Sequence, residues 1–414
     1  MNRLVLIGNG FDLAHGLKTR YEDFLNWYWC HKLRIAATKH DEEYNDLLCK
    51  MTILTEDSWF SIVYYDLTLK GYLEDGDGKA IYNYLKNNKK VKLELSPFFE
   101  RIHNSIDVKR WVDIETEYYE LLKSYSQSDD AISQMGMLNK HLHYLQERLV
   151  EYLRTIEISD KQVRTDIRRK IYAPFNISDF SPEGQQALKK HVATGLEQDT
   201  KSWDVKLAQY GSICYTSGYV SSYRDKHQGN VLLNDELPVE LLLPNHIMLL
   251  SFNYTKTANL YCKEGSIFSV NQIHGNLDNP SSIIFGYGDE LDEGYNKLKN
   301  KNDNECLRNM KQIKYMMADN YDRLEGFLGS EPFQVYLMGH SCGNSDRTLL
   351  NTLFEHKNCV SIKPYYYKWG DGEKNDNYIE LVQNISRNFT DMKLMRDRVV
   401  NKTYCEPLTN RNNN

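Results

Sequence analysis

Arg3-Leu4-Val5-Leu6-Ile7 runs directly into Gly8-Asn9-Gly10-Phe11-Asp12. An apolar run closed by a glycine pair reads as a buried parallel strand ending in a tight turn. A helical pattern follows, so the segment reads as a strand–turn–helix unit. Glycine has no Cβ and lets the backbone approach a ligand closely. The helix behind it offers N–H groups and the positive end of its dipole to a phosphate. Gly8, Asn9, Gly10, Phe11 and Asp12 are therefore expected to form a nucleotide-binding turn. The third glycine of the dinucleotide fingerprint is missing at its usual offset, because the next glycine is Gly16. No acid ends a second strand about twenty residues on, since Glu22 and Asp23 fall within a predicted helix. Both points disfavour an ordinary dehydrogenase.

Working outward, strand-like runs return late in the chain. His246 to Phe252 is one, followed by Asn253-Tyr254-Thr255. Ser266 to Ile273 leads to His274-Gly275, and Ser282 to Phe285 leads to Gly286-Tyr287-Gly288-Asp289. Phe333 to Met338 leads to Gly339-His340-Ser341, and Cys359 to Tyr366 is a further run. Short apolar strands alternating with helices predict an α/β fold with a mostly parallel sheet. In such a sheet, ligands bind outside the carboxyl ends of the strands. Polar clusters at several strand ends would then converge on one edge. Each cluster also has a plainer reading. Asn253 is a favoured helix cap, Asp12 could cap the first helix, and His274 and His340-Ser341 could be turn residues.

Between these regions the pattern is helical. Phe24, Trp27, Tyr28 and His31 share one helix face and predict core packing. Asp57 to Tyr72 is read in the same way, and Gly71 to Gly78 as a loop. From Leu93 to Gln209 the chain is charged and mostly helical, with Trp111 leading one helix and Ser181-Pro182-Glu183 opening another. The expected organisation is a discontinuous nucleotide-binding core, residues 1–92 and 210–414, carrying a helical insertion at 93–209. The tail Asn410 to Asn414 is expected to be disordered.

Bulk properties narrow the class. The net charge is −6 and the pI about 6.1, so no global basic field favours nucleic acid. The basic stretch Arg164 to Lys170 reads as a solvated helix face. The eight cysteines are scattered without a C-x-x-C pair, which argues against a zinc knuckle or a disulfide scaffold. No apolar stretch approaches the roughly 18 residues of a membrane span. The expectation is a soluble cytoplasmic protein without a metal centre.

The stretch LVLIGNGFDLAHGLKTRYEDFL, Leu4 to Leu25, resembles the opening of the AbiH family of bacterial abortive-infection proteins. LLSFNYT at Leu249 to Thr255, the IHG at Ile273 to Gly275, FGYGDE at Phe285 to Glu290 and YLMGHSCGNSD at Tyr336 to Asp346 resemble it in the same order. AbiH proteins are in turn similar to the sirtuin-like NAD-binding fold, a Rossmann-type arrangement. That resemblance implies Gly8, Asn9 and Gly10 at the phosphates, Asn253 at the nicotinamide ribose and His274 as catalytic base. It implies Gly339 and Ser341 at the adenosine side, with Phe11, Asp12, Thr255, Gly275 and His340 lining the cofactor. Position 255 departs from the pattern, which often has an acid where this chain has Thr255. The sirtuin zinc module is also missing, so cleavage of NAD(+) is implied rather than protein deacylation. The function expected is anti-phage defence through NAD(+) hydrolysis, with a homo-oligomer or a defence partner possible. A nucleotide-binding sensor is one alternative. A metal-dependent nuclease or phosphohydrolase using Asp289, Glu290 and Asp346 is the other.

Overall fold

The computed structural model describes residues 1–39, 43–55, 65–73, 76–109, 113–156, 163–210, 217–227, 230–234, 236–262, 265, 267–370 and 375–409. The chain divides into two compact units. One comprises residues 1–16, 158–283 and 315–414, and the other residues 17–157 and 284–314.

The first unit is built on a five-stranded sheet. Its strands are β1 (Asn2–Ile7), β5 (Ile247–Ser251), β6 (Phe268–Gln272), β7 (Phe333–Met338) and β8 (Cys359–Tyr365). The spatial order is β6-β5-β1-β7-β8, and every pairing is parallel. The opening run is thus the central strand. All six residues of β1 are buried, which explains its near-continuous apolar character. From β1 the chain adds β5 and β6 on one side, then β7 and β8 on the other. Strand order therefore reverses between β1 and β7, and Leu4 lies opposite both Met248 and Val335.

One face of the sheet presents Val5, Ile7, Leu249, Tyr336, Met338 and Tyr365 to a buried apolar cluster. Phe175, Phe180, Leu188, Val192 and Trp203 supply the other half of it. They come from helices and turns between residues 165 and 210. The helix Pro182–Glu197 begins as the sequence predicts, with Pro182 in its first turn and the Ser181 hydroxyl accepting from the Gly184 amide at 3.2 Å.

The second unit contains the helices Tyr21–Lys39, Gly78–Asn87, Pro97–Lys109, Ile114–Tyr125 and Ala131–Arg154. It also holds an antiparallel sheet of β2 (Glu43–Asn45), β3 (Cys49–Ile53) and β4 (Val91–Leu95), in that order. Phe24 and Tyr28 are buried, and Trp27 stacks on His31 with centroids 4.7 Å apart.

Two expectations are corrected. Ser282 to Phe285 is not a strand: a short 3-10 turn ends at Ser282, and Ile283 to Phe285 is buried irregular chain. Apolar character marks burial there without a sheet neighbour to pair with. The helical region does not begin at Leu93, because Val91–Leu95 alternates in burial and pairs with β3. Within residues 93–209, the part before Ile158 groups with the second unit and the part after it with the five-stranded sheet. Periodicity shows that a helix has an apolar face, not which core that face meets. Residues 57–64, Trp111, Ser266 and the tail 410–414 lie outside the described residues.

Candidate functional site

The site is assembled at the carboxyl edge of the five-stranded sheet. After β1, Gly8 stands as the extended N-cap of a short helix, α1 (Asn9–Ala14). The Gly10 amide donates to the Gly339 carbonyl at 2.8 Å, and the Phe11 amide to the Gly8 carbonyl at 2.9 Å. A Cβ on Gly8 would lie 2.6 Å from the His340 Cα, and one on Gly10 would lie 2.9 Å from the Gly339 Cα. Gly339 has φ +77°, and a Cβ there would meet the Phe11 nitrogen at 2.1 Å. The glycines of the opening turn are thus required first by the chain's own backbone. Two of the N–H groups expected to face a phosphate are bonded within this junction. Asn9 is exposed above it. Phe11 is not at the surface of the site: it is fully buried, edge-on to the Tyr261 ring at 5.3 Å.

Asp12 lies in α1 and is 1% exposed. Its Oδ2 accepts from the Thr255 hydroxyl at 2.7 Å, and Thr255 lies 3.2 Å from the Thr257 hydroxyl. Its Oδ1 is buried without a hydrogen-bond partner. Burial pushes the Asp12 carboxyl above the usual aspartate range, against the opposing pull of Thr255, Thr257 and Asn253. At position 255 this chain sets a threonine against the acid of α1. Asn253 does not cap the following 3-10 helix Thr257–Tyr261. Its Nδ2 donates to the Gly8 carbonyl at 3.0 Å and ties the end of β5 to the end of β1.

The histidines meet on one carboxylate. Nε2 of His274, just past β6, lies 3.3 Å from Oδ1 of Asp346, and Nε2 of His340 lies 3.7 Å from its Oδ2. His274 Nε2 is also 3.1 Å from the Tyr315 hydroxyl. Phe252 packs on both rings, with centroids 5.2 Å from His274 and 4.1 Å from His340. Both histidines and Asp346 are buried. Nδ1 of His340 accepts the Cys342 amide at 3.0 Å, so Nε2 carries its proton. Among the described residues no group of three His, Cys, Asp or Glu side chains is placed to hold a metal ion.

Other expected residues fall around this group. Gly275 has φ +78°, and a Cβ there would meet the Ser282 carbonyl oxygen at 2.2 Å, so its glycine serves the turn. Ser341 is exposed, and its carbonyl accepts from Asn384 at 2.9 Å. Cys342, in the same loop, adopts φ 56°, a left-handed conformation uncommon for a residue with a side chain. Asp289 and Glu290 belong to the other unit. Asp346, Tyr315 and Phe252 are the members that strand-end reasoning does not assign to it. A sequence signal existed for Asp346, which closes the motif begun by Tyr336.

No helix among the described residues is long and apolar enough to cross a membrane. No curated protein and no solved structure matches the chain. One family description, bacteriophage abortive infection AbiH, matches residues 4–367, a span that takes in β1 from Leu4 onward, the other four strands of the sheet, and His274 and His340. The chain belongs to the AbiH family, which points to a role in abortive infection against phage.

Proposed function

We propose that this protein acts in phage defence by binding NAD(+) at the carboxyl edge of the five-stranded sheet and hydrolysing it to nicotinamide and ADP-ribose. The observation that carries the reading is the convergence of Gly8, Asn253, His274 and His340 from the ends of four neighbouring strands, where strand order reverses. The dinucleotide phosphates lie along the junction of the Gly8–Gly10 and Gly339–Ser341 loops. The nicotinamide ribose faces Asn253 and His274.

In the reaction, the bond between ribose C1′ and the pyridinium nitrogen breaks, and both electrons pass to that nitrogen. Nicotinamide leaves neutral and needs no general acid. The water oxygen bonds to C1′ and its proton passes to the His274 imidazole. Asn253 orients water or a ribose hydroxyl as donor and acceptor at once. The charge that develops on the ribose is favoured by preorganised dipoles in a water-poor site.

The test is incubation of the purified protein with NAD(+), alone and with phage components, followed by chromatography for nicotinamide and ADP-ribose. Stoichiometric release of both is expected. Saturable binding without product in either condition leaves a nucleotide sensor. Product formed only with an added divalent metal sinks this mechanism.

A further inference from the structure

We infer that Asp346 is the positioning residue of the site. It fixes which nitrogen of His274 carries the proton, and it is shared with His340. The inference rests on the hydrolytic reading for its catalytic consequence, and on geometry alone for its structural one.

An ionised carboxylate can only accept hydrogen bonds. Oδ1 of Asp346 lies 3.3 Å from His274 Nε2, an ion-pair distance that favours the proton on Nε2 and the lone pair of the neutral ring on Nδ1. The Tyr315 hydroxyl oxygen beside the same nitrogen is compatible with this, as a second acceptor of the Nε2 proton. His340 reaches the same tautomer by a separate route, because the Cys342 amide occupies its Nδ1. Nε2 of each ring thus lies within ion-pair distance of the same side chain, 3.3 Å from Oδ1 for His274 and 3.7 Å from Oδ2 for His340. The commitment of His340 to a backbone amide assigns proton uptake to His274. Asp346 then orients that ring and stabilises the imidazolium formed as water attacks. A carboxylate behind a basic histidine does the same in hydrolases of unrelated fold. The groups facing the His274 ring include Asp346, the Tyr315 hydroxyl, the Phe252 ring and, across the carboxylate, His340.

Asp346→Asn in the full chain is the test, because asparagine keeps the shape but can both donate and accept. With nitrogen-labelled histidine rings, NMR at neutral pH should show both His274 and His340 as Nε2–H tautomers in the wild type. In the variant, His274 should become a mixture while His340 stays as it was, held by Cys342. Nicotinamide release should fall roughly 10²–10⁴-fold in kcat with KM little changed. Should the asparagine variant fail to fold, Asp346→Ala is assayed with and without added formate, and formate should restore part of the lost rate. A His274 tautomer unchanged in Asp346→Asn overturns the inference. So does a variant with wild-type kcat. If the wild type releases no nicotinamide, the hydrolytic reading fails by itself, and the tautomer measurement still decides the role of Asp346.

Discussion

The Gly10 amide and the Gly339 carbonyl oxygen are 2.8 Å apart, so the turn after β1 and the loop after β7 are joined backbone to backbone. This contact spans the position where strand order reverses. It also explains why the opening motif carries glycine whether or not a ligand is bound.

Gly10→Val and Gly339→Ala are both expected to lower the thermal midpoint. The first places a branched side chain whose Cβ is 2.9 Å from backbone, and the second adds a φ of +77° to a 2.1 Å clash. Overpacking of this kind costs roughly 1–3 kcal/mol. Gly326→Ala is the contrasting control. It lies in the helix Asn320–Ser330 with nothing within 4 Å of the added Cβ, and a gain of roughly 0.5–1 kcal/mol is expected. Calorimetric melts of the three variants check the ordering.

His274→Ala is expected to reduce nicotinamide release roughly 10²–10⁴-fold while the thermal midpoint moves little. Rate and melt are measured on one sample. An early melt with normal specific activity identifies a packing residue.

The Asp12–Thr255 pair carries a pH signature. Burial raises the Asp12 carboxyl in the folded state, so the native protein binds the proton more tightly than the unfolded chain. Its contribution to stability is full below the ordinary aspartate pKa and is lost as pH rises through the raised folded value. Asp12→Asn abolishes that loss. Its stability relative to wild type is expected to be more favourable at pH 7 than at pH 4 in chemical denaturation. Thr255→Val removes the donor to Oδ2 and is expected to cost roughly 1–3 kcal/mol at pH 7, less when combined with Asp12→Asn.

In the second unit, Lys311 is buried with its Nζ 2.9 Å from Oε2 of Glu115, whose Oε1 accepts the Gly286 amide at 3.0 Å. Lys311→Met alone takes from a buried carboxylate the cation 2.9 Å away and is expected to cost roughly 3–5 kcal/mol. Pairing it with Glu115→Gln is expected to recover much of the loss. Urea titration of the single and double variants measures the coupling.

The sheet was legible where apolar runs end in glycine or a polar turn, as at Ile7-Gly8 and Met338-Gly339. There, burial on both faces and a sharp exit leave a local trace. Ser282 to Phe285 carries the same trace but lacks a hydrogen-bonding neighbour, a fact that no local pattern contains. Val91–Leu95 reads VKLEL, an alternation short enough to be absorbed into the helical region after it. In the site, Asn253 and His274 stood out as strand-end residues. Tyr315 did not, because it belongs to a segment between strands and reaches His274 only through the tertiary fold. The need for glycine at 8 and 10 was visible, but the partner that imposes it, Gly339, lies over 320 residues away.

The central position of β1 has a consequence for synthesis. It leaves the ribosome well before its partners, since its neighbour β5 begins at Ile247 and its other neighbour β7 at Phe333. At translation rates of roughly 5–20 residues per second, the Leu-Val-Leu-Ile core of β1 waits on the order of 10–70 s for both partners. An apolar strand left unpaired for that long is a template for association with other chains. Nascent protein is therefore expected to depend on chaperone capacity, and overexpression to yield aggregates before it yields folded protein.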